Sequence, residues 1–348
     1  NVFFGTEVND VTNATISAPL STTVSAGQLY DANTFNPGIL EFGKTYYWRV
    51  DEVNKPTPKP GINKGNIWSF TVEKEALDMT FANVEKVTAI SSTLGQDPND
   101  TINGYGLDPN FPNRHSASIG SWASSGTDTS PVWIQYDFDK QYKINQMLVW
   151  NYNHSYYYRN GFKDVLVEYS EDGLTWNAVP NVNTFNKAQN FSTYEYNTVV
   201  DFNNVIAKSV RITAYSNYGT GGGGVGAKSG LSEVRFTYIP VRARLPFPAE
   251  DAIDIPAGAI FKWRNGREAL SHKFYIGTDV NAVTKGTVAS VSLNVNSYKP
   301  SIKLAKTYYW RVDEINPGMD PSLWEGNIWK FDTLKSILVD GFEKGYGN

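Results

Sequence analysis

Residues 44–54 read KTYYWRVDEVN and residues 306–316 read KTYYWRVDEIN, differing only at Val53 and Ile315. Agreement over so aromatic a stretch marks a duplicated structural unit, and a duplicated unit constrains the fold more than any single motif. Each copy continues into a GNIW block, at residues 65–68 and 326–329, followed by Phe70 or Phe331. Upstream, FFGTEVNDVT at residues 3–12 answers YIGTDVNAVT at residues 275–284. The gap between the upstream block and the YYW block is ten residues longer in the first copy, a difference that a surface loop absorbs. Two copies of one unit with unrelated sequence between them make a string of modules, which suits a chain of 348 residues.

Within the repeat, Tyr46, Trp48 and Val50 alternate with Tyr47, Arg49 and Asp51, the period of two that a half-buried strand shows. The Trp of GNIW falls on the next strand, so the pair reads as a hairpin. The unit resembles the last two strands of fibronectin type III-like or immunoglobulin-like sandwiches, with Tyr46 in the position of their tyrosine corner. That resemblance implies a spacer sandwich with no ligand of its own, since nothing in the repeat forms a converging polar site. The second copy opens about thirty residues ahead of its YIGT block, in a segment containing PFPAEDAIDIPAGAIFKW. The first copy has no counterpart to it. The first sandwich is therefore expected to lack its opening strands, which neighbouring domains of a longer chain or strand donation from another chain would supply. The closing SILVDGFEKGYGN reads as the start of a further domain or a tail.

Composition supports an all-β reading. Aromatic residues are 14% of the chain, Gly and Pro number 29 and 17, and charged residues are only 19%. A net charge of −4 and the absence of any Lys/Arg run argue against nucleic acid as a partner. With no cysteine, disulfide frameworks, zinc knuckles and thiol nucleophiles are excluded. His115, His154 and His272 are the only histidines and make no HxH or HExxH spacing, so metal chemistry here is oxygen-ligand chemistry. No apolar run approaches the roughly 18 residues of a membrane span, and no signal peptide or lipidation motif is present.

Between the repeats lies a different domain. Its segments VWIQYDFDK from Val132, QMLVWNYN from Gln146, DVLVEYSEDG from Asp164, STYEYNTVVDF from Ser192, KSVRITAYSN from Lys208 and LSEVRFTYI from Leu231 read as six or more short strands, the spacing of an antiparallel sandwich or jelly roll. The series WIQYDF, WNYN, VLVEYSEDGLTW, SVRITA and GLSEVRF resembles the discoidin, or coagulation factor V/VIII type C, domain, also called galactose-binding-like. The specific parts are the S-x-D-G-x-x-W hairpin at Ser170, Asp172, Gly173 and Trp176, and SEVRF at residues 232–236. The YYWRVDE units are similar to modules that flank such domains in large secreted or surface proteins of planctomycete-like bacteria. The expected organisation is residues 1–76 for an incomplete sandwich, 77–240 for the jelly roll, 241–335 for a complete sandwich, and 336–348 for a further domain or tail.

The resemblance implies loops that bind ligand at one end of the jelly roll and a structural calcium near them. By that resemblance Glu233 is a calcium ligand, and the loop DPNDTINGYGLDPNFPNRHS offers Asn103, Asp108 and Ser116. The alternative is that Asn103 and Asp108 only make Asx-turns. A sugar presents apolar C–H faces to aromatic rings and hydroxyls to planar polar groups. The segment WNYNHSYYYRNGFK holds both kinds of side chain, making Asn151, Asn153, His154, Tyr157 and Arg159, beside Tyr156 and Tyr158, the candidate ligand contacts. Asn217 and Tyr218 in AYSNYG and His115 in the early loop join them. Trp122, Trp133 and Trp150 read more readily as core than as platform. GTGGGGVGAKSG at residues 219–230 is no phosphate loop, because Ala227 parts Gly226 from Lys228. DPNDTING is no EF-hand, because its glycine falls too late.

No nucleophile–base pair, catalytic metal or supported carboxylate pair emerges, and Asp51-Glu52 recurs as Asp313-Glu314, which argues for a structural role. The expected function is a non-catalytic module binding a glycan or polysaccharide, flanked by spacer sandwiches in a larger secreted or cell-surface bacterial protein. The alternatives are a structural or adhesive element without sugar binding, and the accessory region of a polysaccharide-degrading enzyme.

Overall fold

The computed structural model describes residues 1–27, 33–53, 61–117, 119–128, 131–155, 157–219 and 228–336. Residues 337–348 of the expected further domain, most of the Gly-rich loop and Tyr156 lie outside the described residues. Regular structure in the described chain is nearly all strand, with short α-helices at Val8–Asn13 and Val280–Thr284, and the chain divides into two compact units, Asn1–Glu75 and Ala76–Asn348.

The jelly roll fills the first part of the second unit. Its central strand, Val132–Asn151, alternates buried and half-buried residues from Val132 to Phe138, then shifts register between Asp137 and Tyr142. Before the shift it pairs with Val84–Ala89 and with residues 209–214; after it, with residues 198–207 and with Gly230–Ile239. One strand thus serves both layers of the sandwich. Thr198–Ala214 does the same, and Asn203 and Asn204 take left-handed φ values of 51° and 60° at its bend. The sequence reading of separate strands at 132 and 146 is corrected accordingly: they are a single strand bent through an irregularity. Of the segment read from Ser192, Thr193–Glu195 is a strand of its own paired with Arg114–Ser116, while the part from Thr198 on continues into the strand read from Lys208. Between the layers, Tyr136, Phe138 and Phe202 surround Phe236 edge-on at centroid distances of 5.6, 5.2 and 6.3 Å. Each such ring contributes about 1.5–3 kcal/mol by leaving water.

The bend places both ends of Val132–Asn151 at the same end of the sandwich. Val132 lies opposite Ala214, which lies opposite Val165, while Asn151 lies opposite Leu231. The described residues of the long connections, within 90–128, 152–164, 184–197 and 215–219, therefore gather there. At the far end sit residues 139–141 and the Asp172 hairpin. Asp172 accepts the N–H groups of Leu174 and Thr175 at 2.8 and 2.7 Å, which holds its carboxyl at about 2, and Arg211 stacks 4.0 Å from the Trp176 ring.

The far end meets the second sandwich. Ile239, Val241 and Trp324 form a small apolar cluster, Lys143 pairs with Glu268, and Arg242 donates to the Gln141 and Glu325 carbonyls at 2.7 and 2.9 Å. In this sandwich one sheet runs in the order Ala252–Ile255, Trp329–Thr333, Thr307–Ile315, Ser271–Gly277, Ser290–Leu293. Arg244–Phe247, Phe261–Arg264 and Ser297–Tyr298 make the facing sheet. Phe261 sits between them, 5.0 Å from Trp310 and 5.2 Å from Phe331.

The first unit holds a sheet in the order Thr23–Ser25, Val2–Gly5, Thr45–Val50, Ile67–Thr71, with Val8–Asn13 covering one face through Phe3, Val11 and Ala14. The repeated RVD explains itself here. Arg49 is buried, donates to the Thr12 and Ala14 carbonyls at the helix end at 2.7 and 2.8 Å, and pairs with Asp51 at 2.7 Å. In the second copy Arg311 reaches the Thr284 carbonyl at 2.6 Å and Asp313 at 2.9 Å. Asp51 and Asp313 also accept the Gly65 and Gly326 N–H groups, at 3.1 and 2.9 Å. A Cβ at either glycine would stand 2.0 Å from the carbonyl oxygen of Val50 or Val312, so the glycine is obligatory in both copies. The Tyr46 and Tyr308 hydroxyls accept the N–H groups of Glu41 and Lys303, at 3.1 and 3.0 Å, tying down the preceding loop in both copies.

Candidate functional site

The loop end of the jelly roll is held together by asparagines. Asn151 is fully buried; its side-chain amide donates to the Phe162 and Asn186 carbonyls at 2.7 and 2.8 Å, and its backbone carbonyl accepts from the Tyr194 hydroxyl. Asn153, equally buried, donates to the Phe191 carbonyl and accepts the Asn190 N–H, each at 2.8 Å. Together they staple the 152–162 loop to the 186–191 loop. His115 is buried too: its Nδ1 lies 2.7 Å from the Ser116 carbonyl, and its ring meets Tyr194 edge-on at 6.1 Å. A Cβ on Gly106 would fall 2.2 Å from His115 Nε2, so a glycine is needed to leave room for that ring. Burial lowers the imidazole pKa to about 4, against the partial support of the Ser116 and Gly120 carbonyls. The expectation that His115, Asn151 and Asn153 face a ligand is thus corrected. The side-chain amides of Asn151 and Asn153 are spent on loops distant in sequence, the His115 ring is packed within its own loop region, and all three side chains are buried from solvent.

Other candidates remain at the surface. The Tyr152 and His154 rings stack at 5.9 Å and 12°, and Tyr157 tilts against His154 at 5.9 Å. Tyr157 is 58% exposed, His154 is half-buried, and Arg159 is exposed beside the Tyr158 ring. Lys187 stands 4.9 Å from the Tyr158 ring and 5.8 Å from that of Tyr218, bridging the two loops. Tyr218 donates to the Phe185 carbonyl, and Asn217 donates to Lys228 at 3.0 Å while accepting the Gly219 N–H at 2.9 Å. The Asn217 amide thus closes its own loop, while Tyr218 offers a half-buried ring.

Sequence reasoning passed over Lys187, and also Tyr105, Ile119 and Phe191, which are exposed on the same group of loops. The Ser116 N–H bonds to the Gly106 carbonyl at 2.8 Å, Ala117 N–H to Ser192 at 3.0 Å and Ser155 N–H to Ala117 at 3.1 Å, which brings these loops side by side. The signal available was an aromatic residue flanked by polar ones, as in QNFST. Trp122 and Trp150 belong to the core; each indole is wholly buried, donating to a loop carbonyl at 2.9 Å, Ser91 for one and Asn113 for the other.

The four residues expected around calcium divide. Glu233 is buried; its Oε1 accepts the Gly104 N–H at 3.2 Å, and its Oε2 meets no hydrogen-bond partner. Burial pushes this carboxyl well above the usual range and the nearby Asp100 adds to the rise, while Arg235 and the Gly104 N–H oppose it. Beside it lies a hollow of about 170 Å³ whose lining includes Ile102, Asn103, Gly104 and Glu233. Asp108 and Ser116 do not line it. Asn103 accepts the Tyr105 N–H at 2.8 Å and Asp108 the Asn110 N–H at 2.8 Å, so both make Asx-turns. Among the described residues no group of three or more His, Cys, Asp or Glu side chains stands close enough to hold a metal. An orphaned buried carboxylate oxygen beside a hollow suits a hard cation, and that fit extends to Glu233 and Asn103 alone. Among the described residues no helix is long and apolar enough to cross a membrane.

The model of the F5/8 type C domain matches residues 86–227. Among solved structures, the module CBM32-3 of a family 31 glycoside hydrolase from Clostridium perfringens is 22% identical over 46% of this chain and 94% of its own, with a TM-score of 0.36. The family 32 module of NanJ from the same organism, in complex with galactose, is 14% identical over 47% of this chain and 98% of its own, with a TM-score of 0.32. A fucose-binding module of Streptococcus pneumoniae is 14% identical over 46% of this chain and 96% of its own, with a TM-score of 0.33. No curated protein matches this chain.

Proposed function

From the F5/8 type C domain that residues 86–227 carry, we propose a non-catalytic glycan-binding module in a larger secreted or cell-surface bacterial protein. The observation that carries the reading is the loop-end cluster of Tyr157, His154, Tyr158, Arg159 and Lys187, in which exposed or half-buried rings stand beside cations. Rings of this kind take the C–H face of a sugar, and the cations and the tyrosine hydroxyl take its oxygens. The buried Asn151, Asn153 and His115 hold the loops without touching ligand, which preorganises the cluster. The test is retention on glycan arrays and affinity gels. Tyr157→Ala combined with Arg159→Ala should weaken the retained glycan at least tenfold, about 1.4 kcal/mol, without moving the thermal midpoint. Absence of retention on every glycan, or retention that the double variant leaves untouched, would overturn the reading.

Calcium belongs to the same proposal, held by Glu233 and Asn103 with loop carbonyls. Bound there, it would neutralise a buried carboxylate and steady the 97–104 loop behind the ligand loops. Added calcium should raise the thermal midpoint of chelator-treated protein by about 2–4 °C for each kcal/mol of binding, and Glu233→Gln should abolish that response. An unchanged midpoint in millimolar calcium removes the metal from the account.

A further inference from the structure

On the sheet face where Val2, Phe4 and Tyr46 are buried, the first unit leaves Trp68 and Phe70 exposed, and among the described residues the edge beside them is unpaired, at positions where the second copy of the repeat has both covered. Trp48 packs on Trp68 with centroids 4.6 Å apart, the same spacing as Trp310 and Trp329. Yet Trp68 is 45% and Phe70 41% exposed, whereas Trp329 and Phe331 are 6% and 0% exposed. In the second copy the covering comes from one stretch of chain. Phe261 seats its ring against Trp310 and Phe331, and Ala252–Ile255 pairs in parallel along Trp329–Thr333. Along that same edge the Asp251 N–H bonds to the Lys330 carbonyl at 2.8 Å, and the Leu334 N–H to the Ile255 carbonyl at 3.0 Å. Among the described residues no strand pairs with the outer edge of Ile67–Thr71.

We propose that this face and edge dock a β-layer of polypeptide of the kind residues 244–264 form. One strand would run parallel beside Ile67–Thr71, and another would set an aromatic side chain against Trp48, Trp68 and Phe70. The identity of the occupant follows from the repeat. Near-identical strands with identical aromatic positions present a complementary surface to whatever covers them, and the second copy displays the cover that this surface fits. An exposed aromatic face and an unpaired edge side by side call for strand addition, since the edge supplies main-chain bonds and the face supplies side-chain pockets.

The test fuses residues 241–270 of this chain ahead of residue 1 of the full chain and compares the product with the chain itself. On docking, the outward amides of Ile67–Thr71 slow in hydrogen exchange at least a hundredfold, and binding of a hydrophobic dye falls. Trp68→Ser then accelerates exchange at Ile67–Thr71 at least tenfold more in the fused chain than in the unfused chain, a coupling that a misfolded fusion does not show. Unchanged exchange and dye binding in the fusion overturn the proposal. So does a dimer of the unfused chain that Trp68→Ser dissolves, which assigns the face to a second copy. Tryptophan quenching of the first unit by a polysaccharide also overturns it, by assigning the face to a glycan.

Discussion

The two repeats carry almost the same strands and differ in what lies against them. In the second, Trp310 and Phe331 are sealed under a three-stranded sheet; in the first, their counterparts Trp48 and Phe70 keep the same neighbours within the sheet and stand half-buried or exposed. Everything local is retained: the stacked tryptophans, the Arg–Asp pair, the tyrosine hydroxyl on a loop N–H, and the obligatory glycine. Strand sequence therefore specifies pairing and the polar lock, while burial belongs to the partner layer.

Three measurements press on that contrast. The largest effect is expected from paired truncations. Phe331→Ala should cost about 3–5 kcal/mol, because it empties a closed core, whereas Phe70→Ala should cost about 1 kcal/mol or less. Hydrogen exchange read separately on Thr45–Val50 and Thr307–Ile315 checks this; equal costs would mean that the first face is covered in solution. Next, Asp51→Ala and Asp313→Ala should each cost about 3 kcal/mol or more and by similar amounts, since each strands a buried arginine at a helix end. A loss confined to one copy would break the claim that the lock is independent of the cover. The smallest effect concerns a polar loop residue that burial has converted to framework. His115 has its pKa depressed in the folded state, so its contribution is complete above about pH 6.5 and is lost as pH falls towards 4. The shift from 6.5 to about 4 corresponds to at most about 3 kcal/mol. Imidazole titration by NMR checks the direction, and a His115 that titrates near 6.5 would place it in solvent.

Much of the fold could be read in advance because its signals are local. The alternation in TYYWRVDE, the Asp172-Gly173 hairpin and the two-residue period from Val132 to Phe138 are each decided within a few residues. The bend was not visible: DKQ at residues 139–141 looks like a turn between strands, and only the shared partners on both sides show one strand continuing through it. The candidate site was legible in composition and misread in orientation. In WNYNHSYYYRN nothing marks Asn153 as inward and Tyr157 as outward, because the groups that capture Asn153 are at Asn190 and Phe191, far along the chain. Glu233 was placed by its family resemblance, whereas its orphaned oxygen becomes apparent only once Gly104 and the hollow are in position.

Gly230–Ile239 runs from the loop end straight towards the junction with the second sandwich, and residues 143–151 pair antiparallel along nearly its whole length. A pull applied between the loop end and the second sandwich would load that strand lengthwise. The ladder is then strained in shear, so its bonds share the load and must rupture together, unlike a hairpin unzipped bond by bond. The same geometry that gathers the loops at one end thus sets this strand pair to resist a pull along its own length.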